Sequence, residues 1–211
     1  MLKRNGQNCH RTVPDYLGRL TDFEFLAYCA VFESLADDYG RVSSLNSALT
    51  ELERSLPRLA DACAAPKKHC PEIVPASEGP NWEMVGTLLK LDRTAMLLCR
   101  REVGGKREFS IIEHLDQNAP LARAKGVWHV QMTSNDAKVM LQDFVEGERQ
   151  ALKLYANDIV ASARETVDQK YPGQNLGRVV KAISQRCTKA TSPHPTAENR
   201  SGQKNAAGVR V

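Results

Sequence analysis

The sequence has no apolar run that approaches the roughly 20 residues needed to cross a bilayer. Aromatic residues make up only 6% of the chain, and no aromatic motif of the RNA-stacking kind occurs. Its six cysteines form no Cys-x-x-Cys pair, and two of them, Cys29 and Cys63, fall on apolar helical stripes. Because free cysteine behaves as a small buried hydrophobe, we expect reduced thiols and a cytoplasmic protein that makes no membrane contact.

Motifs for catalysis and cofactor binding are also missing. There is no Gly-x-Ser-x-Gly elbow, and the segment Gly104-Gly105-Lys106 lacks the rest of a P-loop. The five histidines show no i, i+4 pairing that would suggest a metal site. Cys99 precedes two arginines that would lower its thiol pKa, but its apolar neighbours favour a structural cysteine. The sequence therefore predicts no catalytic residue, metal ligand or cofactor, although an enzyme pocket formed by distant residues is invisible to spacing alone.

What the chain does contain is a leucine ladder. Six residues recur at alternating steps of four and three, which places them on one stripe of a helix: Leu45, Leu49, Leu52, Leu56, Leu59 and Cys63. Residues 25–39 follow the same rhythm, and the segment 40–43 between the stripes has a glycine stop and a serine start. This pattern predicts an antiparallel hairpin of helices 22–39 and 45–64, with Pro57 interrupting the second helix or starting another.

The rest of the chain suggests a mixed lobe. Four prolines and one glycine between residues 65 and 81 predict a linker without regular structure. The β-prone runs on either side of Gly104-Gly105 predict a β-hairpin, and residues 127–132 suggest another strand. Residues 82–91 fit a helix or a strand, and we favour the helix. A long helix is expected from 135 to 170, and a short one begins near residue 175.

The predicted fold is therefore α+β and mainly α. It has an N-terminal antiparallel helical hairpin, a small antiparallel β-sheet and a long C-terminal helix packed on that sheet. The expected organisation is a basic flexible arm (1–20), the hairpin (21–64), the Pro-rich linker (65–81), the α+β lobe (82–186) and a disordered basic tail (187–211).

Positive charge is concentrated at the two ends of the chain. Residues 172–211 hold seven basic side chains and one acid, whereas residues 21–64 hold three arginines and eight acids. Clustered basic residues contact phosphates without reading base sequence. The candidate nucleic-acid contacts are Arg178, Lys181, Arg186 and Lys189 on the last helix, with Arg100, Arg101, Lys106 and Arg107 beside the β-turn.

Two functions remain open at this stage. The favoured one is a non-enzymatic interaction or assembly protein that binds a protein partner or a second copy of itself. Its coiled-coil-like contact would use the leucine stripe, namely Leu45, Leu49, Leu52, Leu56 and Leu59. The alternative is a nucleic-acid-associated accessory protein that uses the basic C-terminal helix and tail. Rising salt would weaken phosphate binding steeply but would leave a leucine contact intact.

Overall fold

A computed structural model describes residues 14–66, 72–73, 82–114 and 128–192. Within these ranges the elements in chain order are α1 (Asp22–Ser34), α2 (Ala36–Ala64), β1 (Glu72–Ile73), β2 (Trp82–Leu89), β3 (Ala95–Val103), β4 (Lys106–His114), β5 (Trp128–Ser134), α3 (Ala137–Lys170) and α4 (Gly177–Thr191). The fold is α+β and mainly α, so the predicted fold class is confirmed.

The described residues divide into two compact units. The first unit contains residues 14–42 and Tyr155–Ala190, and the second contains the described part of Ser43–Leu154 together with residues 191–192. Both principal boundaries fall inside helices, one in α2 and one in α3. The sequence had suggested a division at the linker 65–81 instead. Most of α2 therefore belongs to the same unit as the sheet.

The N-terminal helices begin and break at specific residues. The predicted capping box at Thr21 and Glu24 is present, with each side chain accepting a hydrogen bond from the other residue's backbone N–H. The turn predicted at residues 40–43 is wrong, because α2 continues through it and the break lies at Leu35. Val42 is fully buried, and this burial outweighs the helix penalty of about 1 kcal/mol for the glycine at position 40.

Pro57 does not interrupt α2, so that prediction is also wrong. The proline is exposed inside a continuous helix of 29 residues. A proline removes one backbone hydrogen bond and costs about 3 kcal/mol in a helix interior. The next turn is anchored by Leu59 and Ala60, which are both buried, and their packing holds the helix together across the missing bond.

The sheet is an antiparallel meander in the order β1-β2-β3-β4-β5. The predicted hairpin is confirmed: Val103 pairs with Lys106, and Gly104 and Gly105 between them have φ angles of 58° and 74°. Residues 82–89 form a strand rather than the favoured helix, since their register against β3 buries Trp82 and Leu88. The two-residue strand β1 lies inside the predicted linker and pairs with β2. The linker therefore holds some regular structure.

Both faces of the sheet are apolar, and the helices of the second unit cover one of them. Register places Met96, Leu98 and Ile111 on that face. A Cβ at Gly86 would lie 3.6 Å from Cδ2 of Leu59, so this glycine admits the close approach of α2. On the opposite face the buried cluster consists of Trp82, Leu97, Cys99 and Ile112, with Met84 and Val130 packed against it.

The predicted long helix is confirmed as α3, which packs on the sheet with its N-terminal half. The Asp136 carboxylate accepts hydrogen bonds from the backbone N–H groups of Lys138 and Val139 and so caps the helix start. Farther along, Oε2 of the buried Glu148 accepts a 2.6 Å hydrogen bond from the N–H of Leu91. This bond joins α3 to the turn between β2 and β3.

The ends of the chain are described only in part. Residues 14–20 form turns, and α4 continues to Thr191, so the first residues of the predicted tail are helical. The arm prediction for residues 1–13, the tail prediction for 193–211 and most of the linker prediction lie outside the described residues. Within the described ranges, no helix combines the length and the apolar character needed to cross a bilayer.

Candidate functional site

The first unit contains a cleft of about 650 Å³ between the turns at residues 14–20 and helix α4. Four basic residues line it, and they come from both sides: Arg19 from the turns, and Arg178, Lys181 and Lys189 from α4. Asp15 is the acidic residue in the same lining. The cleft thus carries a net positive charge, and a concave site of one sign strengthens the field that an anion meets there. We call it the cationic cleft.

Helix α4 builds the cleft because its two faces are chemically opposite. Val179, Ala182, Ile183 and Cys187 are buried on one face. Arg178, Lys181, Gln185 and Lys189 are spaced by three or four residues on the other, which lines the cleft. Burial of the apolar face therefore orients the cations toward solvent without further constraints.

Two of the basic residues that line the cleft contact other side chains of the first unit. The side chain of Arg178 remains 67% exposed, with its guanidinium 3.7 Å from the carboxylate of Glu24. A hydrogen bond from the Thr21 backbone N–H lowers the pKa of Glu24 below its ordinary value, so this acid stays ionised. Lys189 Nζ lies 4.9 Å from the centroid of the Tyr16 ring, a cation–π distance. Because Arg178 is exposed and lies as far as 3.7 Å from Glu24, their ion pair is weak, and the arginine can exchange Glu24 for another anion.

Arg186 was predicted to contact nucleic acid, but the structure gives it an internal partner set. Its guanidinium lies 4.0 Å from the ring centroid of Phe32 and 4.8 Å from that of Tyr39. It also donates a 2.9 Å hydrogen bond to the hydroxyl of Tyr28. The residue is half-buried and is not part of the cleft lining. Its contacts fasten α4 to the N-terminal helices.

The second predicted basic patch, beside the β-turn, is largely engaged within the chain. Arg100 is 6% exposed, pairs with Glu83 at 3.2 Å and donates to the backbone carbonyls of Cys63 and Ala65 at the end of α2. Its assignment to a surface patch is therefore wrong. The guanidinium is buried, and its N–H donors are already bound to the carbonyls at the end of α2 and to the Glu83 carboxylate.

The other members of that patch lie nearer the surface. Arg101 pairs with Glu108 at 2.7 Å and lies 4.3 Å from the Trp82 ring centroid. Arg107 donates to the carbonyl of Ala64 at 3.2 Å, and Lys106 is exposed at the turn. Three of the four predicted patch residues thus bind groups of the second unit itself, and the patch is weaker than its sequence suggests.

The leucine stripe predicted as an interface is partly core. Leu49 and Leu59 are 0% and 9% exposed, while Leu45, Leu52 and Leu56 are half-buried. Leu59 packs close to Gly86 and Leu98 of the sheet. The prediction is therefore wrong for Leu49 and Leu59, because the stripe is satisfied by packing within its own unit rather than by a partner.

A different apolar surface is exposed on α1. Leu26 is 67% exposed and Phe25 is 43% exposed, and the exposed Cys29 lies on the same helical face. Asp22 and Glu33 flank these residues at the two ends of the face. We call Phe25, Leu26 and Cys29 the α1 strip. The sequence pattern placed Phe25 and Cys29 on the apolar stripe of the first predicted helix and did not single out Leu26.

Residues that metal or thiol chemistry would need do not converge in the described residues. No three His, Cys, Asp or Glu side chains there form a cluster able to hold a metal ion. Burial raises the pKa of the Cys63 thiol to about 11 and raises that of Cys99 still further. Both are therefore protonated and inert at neutral pH, and the structural reading of Cys99 is confirmed.

Three cleft residues were missed by the sequence reasoning that found Arg178, Lys181 and Lys189. Asp15, Tyr16 and Arg19 belong to an N-terminal segment that was expected to be a flexible arm. The available signal was the shared positive charge of the two chain ends. That signal did not specify which basic residues of the two ends line the same cleft.

Comparison of this chain with protein-family models, curated proteins and solved structures finds no match in any of the three.

Proposed function

We propose that this protein is a non-enzymatic nucleic-acid-binding accessory protein whose binding site is the cationic cleft. The observation that carries the proposal is the meeting of Arg19, Arg178, Lys181 and Lys189 on one concave surface. Arginine and lysine supply the charge-assisted hydrogen bonds that phosphate oxygens accept. Binding of this kind releases counterions from the nucleic acid and is therefore strongly dependent on salt.

The net charge of the whole chain supports a polymer of phosphates as the ligand. The chain carries a net charge of +4, and residues 193–211, which follow α4 in the sequence, hold three basic side chains and one acid. A polymer of phosphates can engage the cleft and these outlying charges together, whereas a single small anion engages only the cleft. We place this activity in the cytoplasm, which the buried free thiols of Cys63, Cys99 and Cys187 favour.

The test compares two double variants that remove the same charge. Arg178→Gln with Lys189→Gln alters the cleft, and Lys138→Gln with Lys153→Gln alters exposed positions on α3 in the other unit. Fluorescence anisotropy with a labelled 30-nucleotide strand is measured from 50 to 200 mM salt. The cleft variant should lose at least about tenfold in affinity. The slope of the logarithm of its binding constant against the logarithm of the salt concentration should become less negative by about 1.4. Equal losses in both variants would contradict the cleft as the site.

A second candidate function is supported by the α1 strip. Leu26 and Phe25 expose apolar surface on a face that the first unit leaves open to solvent. Exposed apolar residues grouped on one helix face are typical of protein interaction sites. The original assembly hypothesis is therefore retained with a new surface: we propose that two copies of the chain associate through the α1 strip rather than through the leucine stripe.

A further inference from the structure

A second cleft lies beside the cationic cleft in the first unit. It has a volume of about 440 Å³ and is lined by the C-terminal part of α3, the connection to α4 and the first turns of α4. Arg164 and Lys181 are its basic residues, and Asp168 is the acidic residue in its lining. Lys181 also lines the cationic cleft, so this residue lies at the boundary of the two clefts.

The two clefts together form a positively charged path. Arg164 lines the second cleft, Lys181 lines both, and the cationic cleft adds Arg19, Arg178 and Lys189. Along α4 the cationic cleft alone extends from residue 178 to residue 189, which is about 16 Å at 1.5 Å per residue. The path is thus longer than one nucleotide requires.

The form of the site favours a single strand over a duplex. A duplex presents phosphates on a convex exterior and keeps its bases stacked inside, whereas a single strand can enter a cleft and turn a base toward an aromatic ring. Tyr16 supplies such a ring in the lining of the cationic cleft, where the Lys189 ammonium lies over one face of the ring and leaves the other face for a base. Aromatic stacking combined with a cationic groove is the usual means by which proteins bind single strands without sequence preference.

We propose that a single-stranded nucleic acid runs through both clefts, with Lys181 contacting it at their boundary, Arg164 binding a phosphate in the second cleft and Tyr16 stacking a base in the first. This inference rests on the proposed function and extends it to a ligand class and to a second cleft. A dinucleotide occupies the cationic cleft, and a longer strand occupies both clefts.

The experiment uses the full chain and labelled oligonucleotides in an anisotropy titration. Oligo-dT and oligo-rU of 2, 5 and 12 nucleotides are compared with a 12-base-pair duplex, and the two sugar types show whether DNA or RNA binds more tightly. Arg164→Gln tests the second cleft, Arg178→Gln tests the cationic cleft, and Lys153→Gln in the other unit is the charge-matched control.

The expected result depends on strand length. Arg164→Gln should weaken binding of the 12-mer and make its salt slope less negative by about 0.7, while dinucleotide binding stays unchanged. Arg178→Gln should weaken binding of every length. The duplex should bind less tightly than the 12-mer single strand. Tyr16→Ala should reduce single-strand affinity about tenfold, and Tyr16→Phe, which keeps the ring, should restore it.

The outcomes separate this inference from the proposed function. If Arg164→Gln binds the 12-mer with wild-type affinity and slope while Arg178→Gln is impaired, the two-cleft path is overturned and the cationic cleft stands. Duplex binding as tight as that of the single strand overturns the choice of ligand. If neither arginine variant differs from Lys153→Gln, the proposed function itself fails.

Discussion

Leucines inside the long helices of this chain differ widely in solvent exposure. Leu49 in α2 is 0% exposed, whereas Leu154 in α3 is 65% exposed, although both lie inside long helices of the second unit. A buried leucine contributes transfer free energy and also fills volume that its neighbours cannot recover. An exposed leucine contributes little of either.

Truncation of these two leucines should therefore have unequal effects. Leu49→Ala is expected to lower the free energy of unfolding by about 2–5 kcal/mol because it leaves a cavity. Leu154→Ala should change it by no more than about 0.5 kcal/mol. Urea unfolding followed by circular dichroism measures both values. A small cost at Leu49, close to that at Leu154, would restore the leucine stripe as a surface available to a partner.

At the scale of elements, the length of α2 depends on packing more than on local sequence. Glycine at 40 and proline at 57 both oppose a continuous helix, yet the helix contains both. Buried residues adjacent to each one, Val42 and Leu59 among them, supply the compensating free energy. α2 therefore carries a local cost at Pro57 that function in the cleft does not require.

Replacing that proline should stabilise the protein. Pro57→Ala restores a backbone N–H that can donate to the carbonyl of residue 53, and alanine has the best helix propensity. We expect the free energy of unfolding to rise by about 1–3 kcal/mol in urea titrations. Arg58→Ala, at the neighbouring exposed position, serves as a control and should change little. An unchanged or lower stability in Pro57→Ala would show that the proline is accommodated without strain.

The difference between local sequence effects and packing also explains which parts of the fold could be predicted from sequence. The turn at Gly104-Gly105, the capping box and the long α3 were predictable because each depends on residues a few positions apart. The break at Leu35 and the strand at 82–89 depend on distant packing partners, which local patterns do not encode.

The candidate site was accessible to prediction only in part, for a related reason. Arg178, Lys181 and Lys189 followed from the concentration of basic residues in the last helix, which also included Arg186 outside the cleft. Arg19 and Tyr16 reach the cleft through the tertiary fold, and their distance along the chain hid them. Exposure was equally hidden: Arg100 and Arg178 look alike in sequence, but one is buried under the end of α2 and the other faces solvent.

At the scale of the whole molecule, the α1 strip makes assembly a measurable property. A molar mass above 23.4 kDa at about 100 µM, determined by light scattering, is expected if two copies associate. Leu26→Glu should return the mass to 23.4 kDa, since a charge buried without a partner is unfavourable. Leu154→Glu, at an exposed leucine of the other unit, should leave association intact. A wild-type protein that is monomeric throughout would exclude this second function.

The division of α2 and α3 between the two units also has a consequence for biosynthesis. The first unit combines residues 14–42 with Tyr155–Ala190, so nearly all of the second unit is translated between its two parts. While the ribosome is still elongating, α1 has emerged but α4, which supplies the aromatic-bound Arg186, does not yet exist. The sheet unit can thus fold on the nascent chain, whereas the cationic cleft forms only after α4 has been synthesised, and a fragment that ends before α4 exposes α1 without the cleft.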